Sequence, residues 1–210
     1  MSEIAIFLGP SLDLAVAQSV LDATYLPPIK RGDLAELSAE TETIGIIDGE
    51  FFQSLAVSPK EVLPLLDRGV RVYGSSSMGA LRAVETQRFG MIGVGTIYEW
   101  YRDSVIDADD EVALTYDPST YRPSSEPLVN IRFALRTAVQ EDLITRSKAD
   151  EVIDTLKRVY FPSRSYQLVC QLCPELKDFL MEQRPNQKRD DALLLLHTIA
   201  NSDKQALVIP

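Results

Sequence analysis

The fold is decided by residues 70–83, which read VRVYGSSSMGALRA. Residues 70–73 form a short, mostly apolar run, which is typical of a buried strand. The tight polar loop at residues 74–79 leads directly into a helical pattern over residues 80–88, and Gly90 is suited to end that helix. A strand that turns at once into a helix is the building block of parallel α/β folds.

The same alternation of short apolar runs and helical patterns extends toward the N-terminus. Residues 4–8 and 44–47 predict two more buried strands. Ser11 is expected to cap the helix between them, and Ser58 opens a further helix with a capping box. Residues 112–116 predict an additional strand. This order predicts an α/β fold with a mostly parallel sheet and helices on both of its faces.

The character of the sequence changes after Asp117. Residues 117–127 contain three prolines and four serine or threonine residues, which indicates an exposed connection. From Leu128 onward the pattern is helical. We therefore expect an α/β core over residues 1–120, followed by a helical C-terminal extension over residues 121–210 that packs on the core.

Charge and residue counts restrict the classes of function. The 210 residues carry a formal net charge of −10, which argues against nucleic acid or an anionic membrane surface as a partner. One histidine and two cysteines are too few for a zinc or iron–sulfur cluster, so neither a metal nor a cofactor is expected. The first residues lack a basic secretory region, and no apolar run is long enough to span a membrane. These features favour the cytoplasm.

The loop at residues 74–79 is the first candidate for chemistry. Ligands of parallel sheets bind beyond the carboxyl ends of the strands, and free N–H groups at a helix start can stabilise an oxyanion or bind a phosphate. Three serines, Ser75, Ser76 and Ser77, are more than a helix cap needs, so one of them is a candidate nucleophile. His197 lies in an apolar segment, where a packed role is expected, so a Ser–Lys pair becomes the alternative to histidine catalysis.

Lys60 is the lysine for which the sequence offers a physical reason to act as the base. It is the second residue of the helix that Ser58 caps, where the positive end of the helix dipole disfavours the ammonium form. A lysine must lose its proton before it can accept one from a serine. The alternative, which the residues alone favour, is a solvated lysine that pairs with Glu61.

Further side chains are expected to support the site. Asp48 follows a predicted strand at the same edge of the sheet, and Arg31 lies in a basic turn that could orient an anionic group. Arg82 and Glu85 share one helix face and either brace the loop or form a simple surface pair. The acidic run at residues 107–111 fits a solvated loop better than a Mg²⁺ site.

Several motifs, in order along residues 4–117, are similar to those of the TfuA-like family. They are FLGPS (7–11), PP (27–28), RGDL (31–34), IIDG (46–49), KEVL (60–63), GSSSMGALRA (74–83), FGM (89–91), GVG (93–95) and DDEVA (109–113). The stretch SMGALRA at residues 77–83 is the most distinctive, and the C-terminal helices match only loosely.

The resemblance implies a specific activity. TfuA-like proteins act with YcaO enzymes, which replace an amide oxygen of a peptide backbone by sulfur. The TfuA-like protein hydrolyses the C-terminal thiocarboxylate of a ThiS-like sulfur carrier protein through a Ser–Lys pair. Carried over to this chain, the lysine is Lys60 and the nucleophile is Ser77, with Ser76 as the next choice. N–H groups around Met78 and Gly79 would receive the oxyanion.

The loop glycine Gly74 belongs to the same expected site, and the peptide substrate would be met through YcaO. Two readings from other classes stay open. One is a non-catalytic adaptor that raises the affinity of YcaO for its peptide. The other is a phosphate- or nucleotide-binding module, although Ala80 stands where a Walker lysine belongs.

Overall fold

The core of the protein is a parallel β-sheet, seen here in a computed structural model that describes residues 4–51 and 55–206. Within those residues, five strands form one sheet in the order β2-β1-β3-β4-β5, and every neighbouring pair is parallel. The strands are β1 (Ile4–Phe7), β2 (Thr24–Leu26), β3 (Thr43–Ile46), β4 (Arg71–Ser75) and β5 (Ile92–Val94). The prediction of an α/β fold is confirmed.

Helices connect the strands, and further helices follow the last of them. They are α1 (Leu14–Val20), α2 (Pro59–Asp67), α3 (Met78–Thr86), α4 (Thr96–Arg102), α5 (Leu128–Gln140), α6 (Arg146–Lys157), α7 (Tyr166–Leu172), α8 (Lys177–Gln183) and α9 (Gln187–Ala206). The capping box of α2 is present, with Ser58 accepting from the backbone of Lys60 and Glu61 accepting from the backbone of Ser58. None of the described helices has the length and apolar character needed to cross a membrane.

Two local predictions are wrong. The cap of α1 is Asp13, whose carboxylate accepts from two helix N–H groups, whereas Ser11 bonds elsewhere. Residues 112–116 form no strand in the described structure; a short 3₁₀ turn at Asp109–Glu111 precedes them. Ion pairs hold that turn, because Arg164 binds Asp110 at 2.6 Å and Arg132 binds Glu111 at 2.7 Å.

The described residues divide into two compact units. The sheet unit comprises residues 4–107 and 188–206, and the helical unit comprises residues 108–187. The boundary therefore lies near residue 107 instead of 120, and α9 belongs with the sheet. It does so because Leu195 and Ile199 of α9 pack against Ile6 and cover the space over Gly45, which a side chain would fill.

Opposite faces of the sheet are covered by different helices. Residues alternate between faces along a strand, so the Gly45 side that α9 covers is opposite to the Gly74 side. Helix α3 packs on that second side at very close range. A Cβ at Gly79 would lie 1.7 Å from the carbonyl oxygen of Ile46, and a Cβ at Gly74 would lie 2.2 Å from that of Gly79. Only glycine at both positions lets helix and sheet approach so closely.

Candidate active site

The loops that follow β1, β3 and β4 meet at the carboxyl edge of the sheet. Ser11 comes from the first loop and Asp48 from the second, whereas Ser75 ends β4 and Ser76 and Ser77 follow it; all are buried. The first turn of α9 completes the cluster with Lys188 and Asp191, both buried in the sheet unit. This edge is the one at which parallel sheets bind ligands.

The serine loop has a tight and strained backbone. Ser76 adopts a left-handed conformation with φ of +63°, and the N–H of Ser77 donates to the carbonyl of Ser75 at 2.7 Å. A hydrogen bond of this kind around a residue with positive φ is characteristic of the rare γ-turn. A non-glycine residue in this region costs about 1–3 kcal/mol, and such strain is often found at functional sites.

Each serine makes a different contact with the first turn of α9. The hydroxyl of Ser75 donates to the carbonyl of Asp191 at 2.9 Å. The hydroxyl of Ser76 lies 2.8 Å from the carbonyl oxygen of Lys188. The hydroxyl of Ser77 accepts from Nζ of Lys188 at 3.0 Å. The loop thus orients the backbone of α9 with two serines and presents the third to the lysine.

The side chains of Ser77 and Lys188 are joined by a hydrogen bond, and both are about as buried as a side chain becomes. Ser77 is 1% exposed and Lys188 is 2% exposed. Ser77 directly precedes α3, yet its side chain makes no capping hydrogen bond. Its hydroxyl is therefore not occupied by the capping role that serines usually have there.

A carboxylate lies beside this pair. Oδ1 of Asp48 is 3.8 Å from Nζ of Lys188, and Asp48 is also 2% exposed. Three donors hold that carboxylate: the N–H groups of Gly9 and Ser11, each at 3.0 Å, and the hydroxyl of Ser11 at 2.6 Å. The hydroxyl of Ser76 lies 3.0 Å from that of Ser11, which joins the carboxylate to the serine loop.

Asp191 anchors the lysine-bearing turn on its other side. Its carboxylate accepts from the N–H groups of Thr96 at 3.0 Å and Ile97 at 2.7 Å, which are the first two residues of α4. Gly95, with φ of +97°, makes room for this contact, since a Cβ there would lie 2.4 Å from the carboxyl carbon. The position of Lys188 is thus set by contacts with two other loops.

Comparison with protein families identifies the chain. A family model described as TfuA-like protein matches residues 48–165, which is more than half of the sequence. The chain belongs to the TfuA-like family. The match includes Asp48 and the serine loop, whereas Lys188 of this TfuA-like protein lies beyond its end. No curated protein matches the sequence.

The predicted base lies elsewhere in this TfuA-like protein. Lys60 is the second residue of α2, and its side chain is exposed, whereas Ser77 is buried. Among the hydrogen bonds of the described residues, the lysine that contacts Ser77 is Lys188. Arg31 is also exposed, and its backbone N–H donates to the carbonyl of Leu55.

Two of the predicted oxyanion residues have packing roles. Gly74 and Gly79 allow α3 to lie against the sheet, and the N–H of Gly79 donates to the carbonyl of Ile47 at 3.3 Å. Met78 is different, because it is the first residue of α3 and a helix offers no internal partner to its first N–H. Of the three residues, Met78 is therefore the better candidate for an oxyanion donor.

Arg82 and Glu85 brace neighbouring elements. Arg82 donates to the carbonyl of Val57 at 3.1 Å, just before the cap of α2, and its Nε lies 3.1 Å from the carboxylate of Glu85. Glu85 is partly exposed, so the ion pair itself adds little stability. The pair ties α3 to the start of α2.

The histidine and the two cysteines of the chain lie outside the cluster around Ser77. His197 was expected to be packed, but it lies on the exposed side of α9. Cys170 and Cys173 are free thiols of the helical unit. Within the described parts of the chain, no group of three or more His, Cys, Asp and Glu side chains is arranged to hold a metal ion.

Sequence reasoning missed Lys188, Asp191 and the true role of Ser11. A signal for Lys188 exists, because it is the second residue of α9 and so faces the positive end of a helix dipole. That signal is the same one that pointed to Lys60. What the sequence lacks is any sign that the last helix returns to the sheet.

Proposed function

We propose that this TfuA-like protein hydrolyses the C-terminal thiocarboxylate of a ThiS-like sulfur carrier protein. The sulfide would serve a YcaO enzyme that thioamidates a peptide backbone. The observation that carries the proposal is the contact of 3.0 Å between Nζ of Lys188 and Oγ of Ser77 at the carboxyl edge of the sheet. The proposed setting is the cytoplasm, where thiols such as Cys170 and Cys173 stay reduced.

In the first step, Ser77 acts as the nucleophile. Its Oγ bonds to the carbonyl carbon of the thiocarboxylate while neutral Lys188 takes its proton. The C–S bond then breaks, Lys188 passes the proton to the departing sulfur, and the sulfur leaves as hydrosulfide. Hydrosulfide is a good leaving group, so this step needs little further acid assistance.

In the second step, water attacks the acyl ester on Ser77. Lys188 accepts a proton from the water and returns one to Oγ of the serine, and the carrier leaves with an ordinary carboxylate. The net reaction converts a thiocarboxylate and water into a carboxylate, hydrosulfide and one proton. The N–H of Met78 is the proposed donor to the oxyanion in both steps.

The reactive pair is enclosed, so the reaction requires an opening movement. Ser77 and Lys188 are 1% and 2% exposed, and a thiocarboxylate cannot reach a serine at that burial. We expect binding of the carrier to move the residues that cover the pair. A closed site also keeps water from competing with the carrier.

The test measures sulfide released from a purified thiocarboxylated carrier protein. Ser77→Ala should reduce the rate by at least about 10³-fold, because the nucleophile is gone. Ser19→Ala is the matched control, since Ser19 is exposed on α1 and its hydroxyl only bonds the carbonyl of Val16. Release at the wild-type rate by a folded Ser77→Ala protein would contradict the proposal.

The enclosure of the site favours a second candidate, a non-catalytic adaptor that raises the affinity of YcaO for its peptide. In that case the hydroxyl of Ser77 takes no part in any reaction. Thioamidation supplied with free sulfide distinguishes the two functions. A hydrolase mutated at Ser77 is rescued by free sulfide, and an adaptor does not need Ser77 whichever sulfur source is used.

A further inference from the structure

Asp48 is the charged group next to the proposed base, and no step of the proposed reaction uses it. We infer that Asp48 is a positioning residue that holds Lys188 in its ammonium form beside Ser77 while the site is closed. The inference rests on the proposed function for its kinetic consequence. It implies that release of sulfide is limited by loss of the lysine proton.

The ammonium group of Lys188 is buried. An ammonium group that is 2% exposed has lost nearly all of its hydration, and a buried charge persists only beside a counter-charge with hydrogen bonds. Oδ1 of Asp48, at 3.8 Å, is in place to be that counter-charge. The oxygen of Ser77 accepts one of the ammonium N–H groups.

The carboxylate of Asp48 is held in place by several hydrogen bonds. Two backbone N–H groups and one hydroxyl, all from residues 9–11, point at Asp48. Several donors directed at one carboxylate are the surroundings that an anion prefers. The same contacts stop Asp48 from turning away from Lys188, because they join the loops after β1 and β3.

Other charged groups near Lys188 have different partners or face solvent. Asp191, three residues further along α9, directs its carboxylate at the N–H groups of Thr96 and Ile97. Arg189 and Asp190 are exposed. From the end of β4 and the loop after it, the hydroxyls of Ser75, Ser76 and Ser77 contact this turn. Asp13, at the end of the β1 loop, is exposed and caps α1.

Asp48→Asn tests this arrangement with little change of shape. The amide oxygen can still accept the N–H groups of Gly9 and Ser11, and the amide NH₂ can donate to the hydroxyl of Ser11. The counter-charge is gone, and without it a buried lysine becomes neutral at lower pH. A neutral lysine is available as a base under more acidic conditions, although it is a weaker base.

The experiment records kcat/KM for sulfide release between pH 5 and pH 10 for wild type and Asp48→Asn. We expect the acid limb of the variant to lie at least about one pH unit lower and its plateau to be reduced. The ratio of variant to wild-type rate is then at least about tenfold higher below the limb than on the plateau. The control is Asp13→Asn, which removes an exposed carboxylate of the same unit and should leave the acid limb at the wild-type pH.

The inference is overturned if the acid limb of the Asp48→Asn protein stays at the same pH or moves to higher pH. A purely structural role of Asp48 would lower kcat/KM at every pH without shifting the limb. The charge is also measured without that variant, from the ¹³Cε shift of Lys188 in wild type, assigned by its loss in Lys188→Met. An ammonium shift at pH 7 supports the inference, and a neutral shift overturns it. Wild type that releases no sulfide at any pH defeats the proposed function, and the NMR result still decides the role of Asp48.

Discussion

Nζ of Lys188 donates to Oγ of Ser77 across 3.0 Å, although 111 positions separate the two residues in the chain. The serine lies in the loop between β4 and α3, and the lysine lies in the first turn of the last helix. The range that matches the TfuA-like family ends at residue 165, so it contains only one member of the pair. The pair exists because α9 returns to the sheet unit.

The first prediction separates the two candidate lysines. Lys188→Met should reduce sulfide release by at least about 10²-fold, because a thioether of similar length cannot accept a proton. Lys60→Met should stay within about twofold of wild type, since its side chain is exposed and Ser77 is buried. Rates are measured with thiocarboxylated carrier, and circular dichroism checks the fold. Loss of activity in the Lys60 variant alone would reverse this assignment.

The second prediction concerns the strained turn at Ser76. Ser76→Ala removes the hydroxyl that contacts the carbonyl of Lys188, so we expect a loss of about 1–2 kcal/mol in unfolding free energy. The alanine still has a side chain at φ of +63°, so the backbone strain remains. Ser76→Gly should lose less, because glycine adopts this backbone conformation without strain. Urea denaturation measures both. A glycine variant less stable than the alanine variant would mean that the turn is not strained.

The third prediction concerns the close approach of α3 to the sheet. Gly79→Ala places a Cβ 1.7 Å from the carbonyl oxygen of Ile46, which neither helix nor sheet can avoid without moving. We expect a loss of at least about 3 kcal/mol in unfolding free energy.

Gly69→Ala is the matched control for Gly79→Ala. Gly69 has φ of +83° but nothing within 4 Å of the added carbon, so the cost should be about 1–2 kcal/mol from the backbone alone. Similar midpoints for the two variants in urea would show that the helix is free to shift.

The fourth prediction concerns the two thiols of the helical unit. Burial, with a smaller effect from the neighbouring Glu175, raises the pKa of the Cys173 thiol to about 11. Cys170 is half-buried and lines a cavity of about 600 Å³. Because the thiolate is the reactive form, iodoacetamide at pH 8 should modify Cys170 well before Cys173, as read by peptide mass spectrometry. Faster modification of Cys173 would contradict its burial.

The same pKa predicts a change in stability with pH. The folded state favours the neutral thiol of Cys173. This preference contributes its full amount to the unfolding free energy at pH values below the ordinary thiol pKa. That contribution falls as the pH rises from about 9 toward 11, because the unfolded chain then ionises more readily. The Cys173→Ala protein should lose less stability over that interval, measured as the shift in urea midpoint between pH 8.5 and pH 10.5.

The sheet and the serine loop could be predicted because their signals are local. The apolar runs at residues 44–47 and 70–73 predict strands that deliver polar groups to one edge, and the capping box at Ser58 identifies the start of α2. Strands β2 and β5 were missed, since three residues are too few to show an alternating pattern. The apolar run after Glu111 was wrongly predicted as a strand; ion pairs with distant arginines hold the turn directly before it, and a local pattern does not reveal such contacts.

The identity of the lysine beside Ser77 could not be predicted in the same way. Lys60 and Lys188 each occupy the second position of a helix, so the local electrostatic argument treats them alike. What distinguishes them is a contact between parts of the chain more than a hundred residues apart. No periodicity or spacing in a single sequence encodes that contact.

The two-part construction of the sheet unit has a consequence for protein synthesis. A growing chain leaves the ribosome N-terminus first at about 5–20 residues per second, so Ser77 emerges roughly 6–20 seconds before Lys188. Until α9 follows, the sheet face around Ile6 and Gly45 has no cover and the serine has no lysine beside it. A ribosome that stalls within the helical unit therefore leaves a fragment in which the contact between Ser77 and Lys188 has not yet formed.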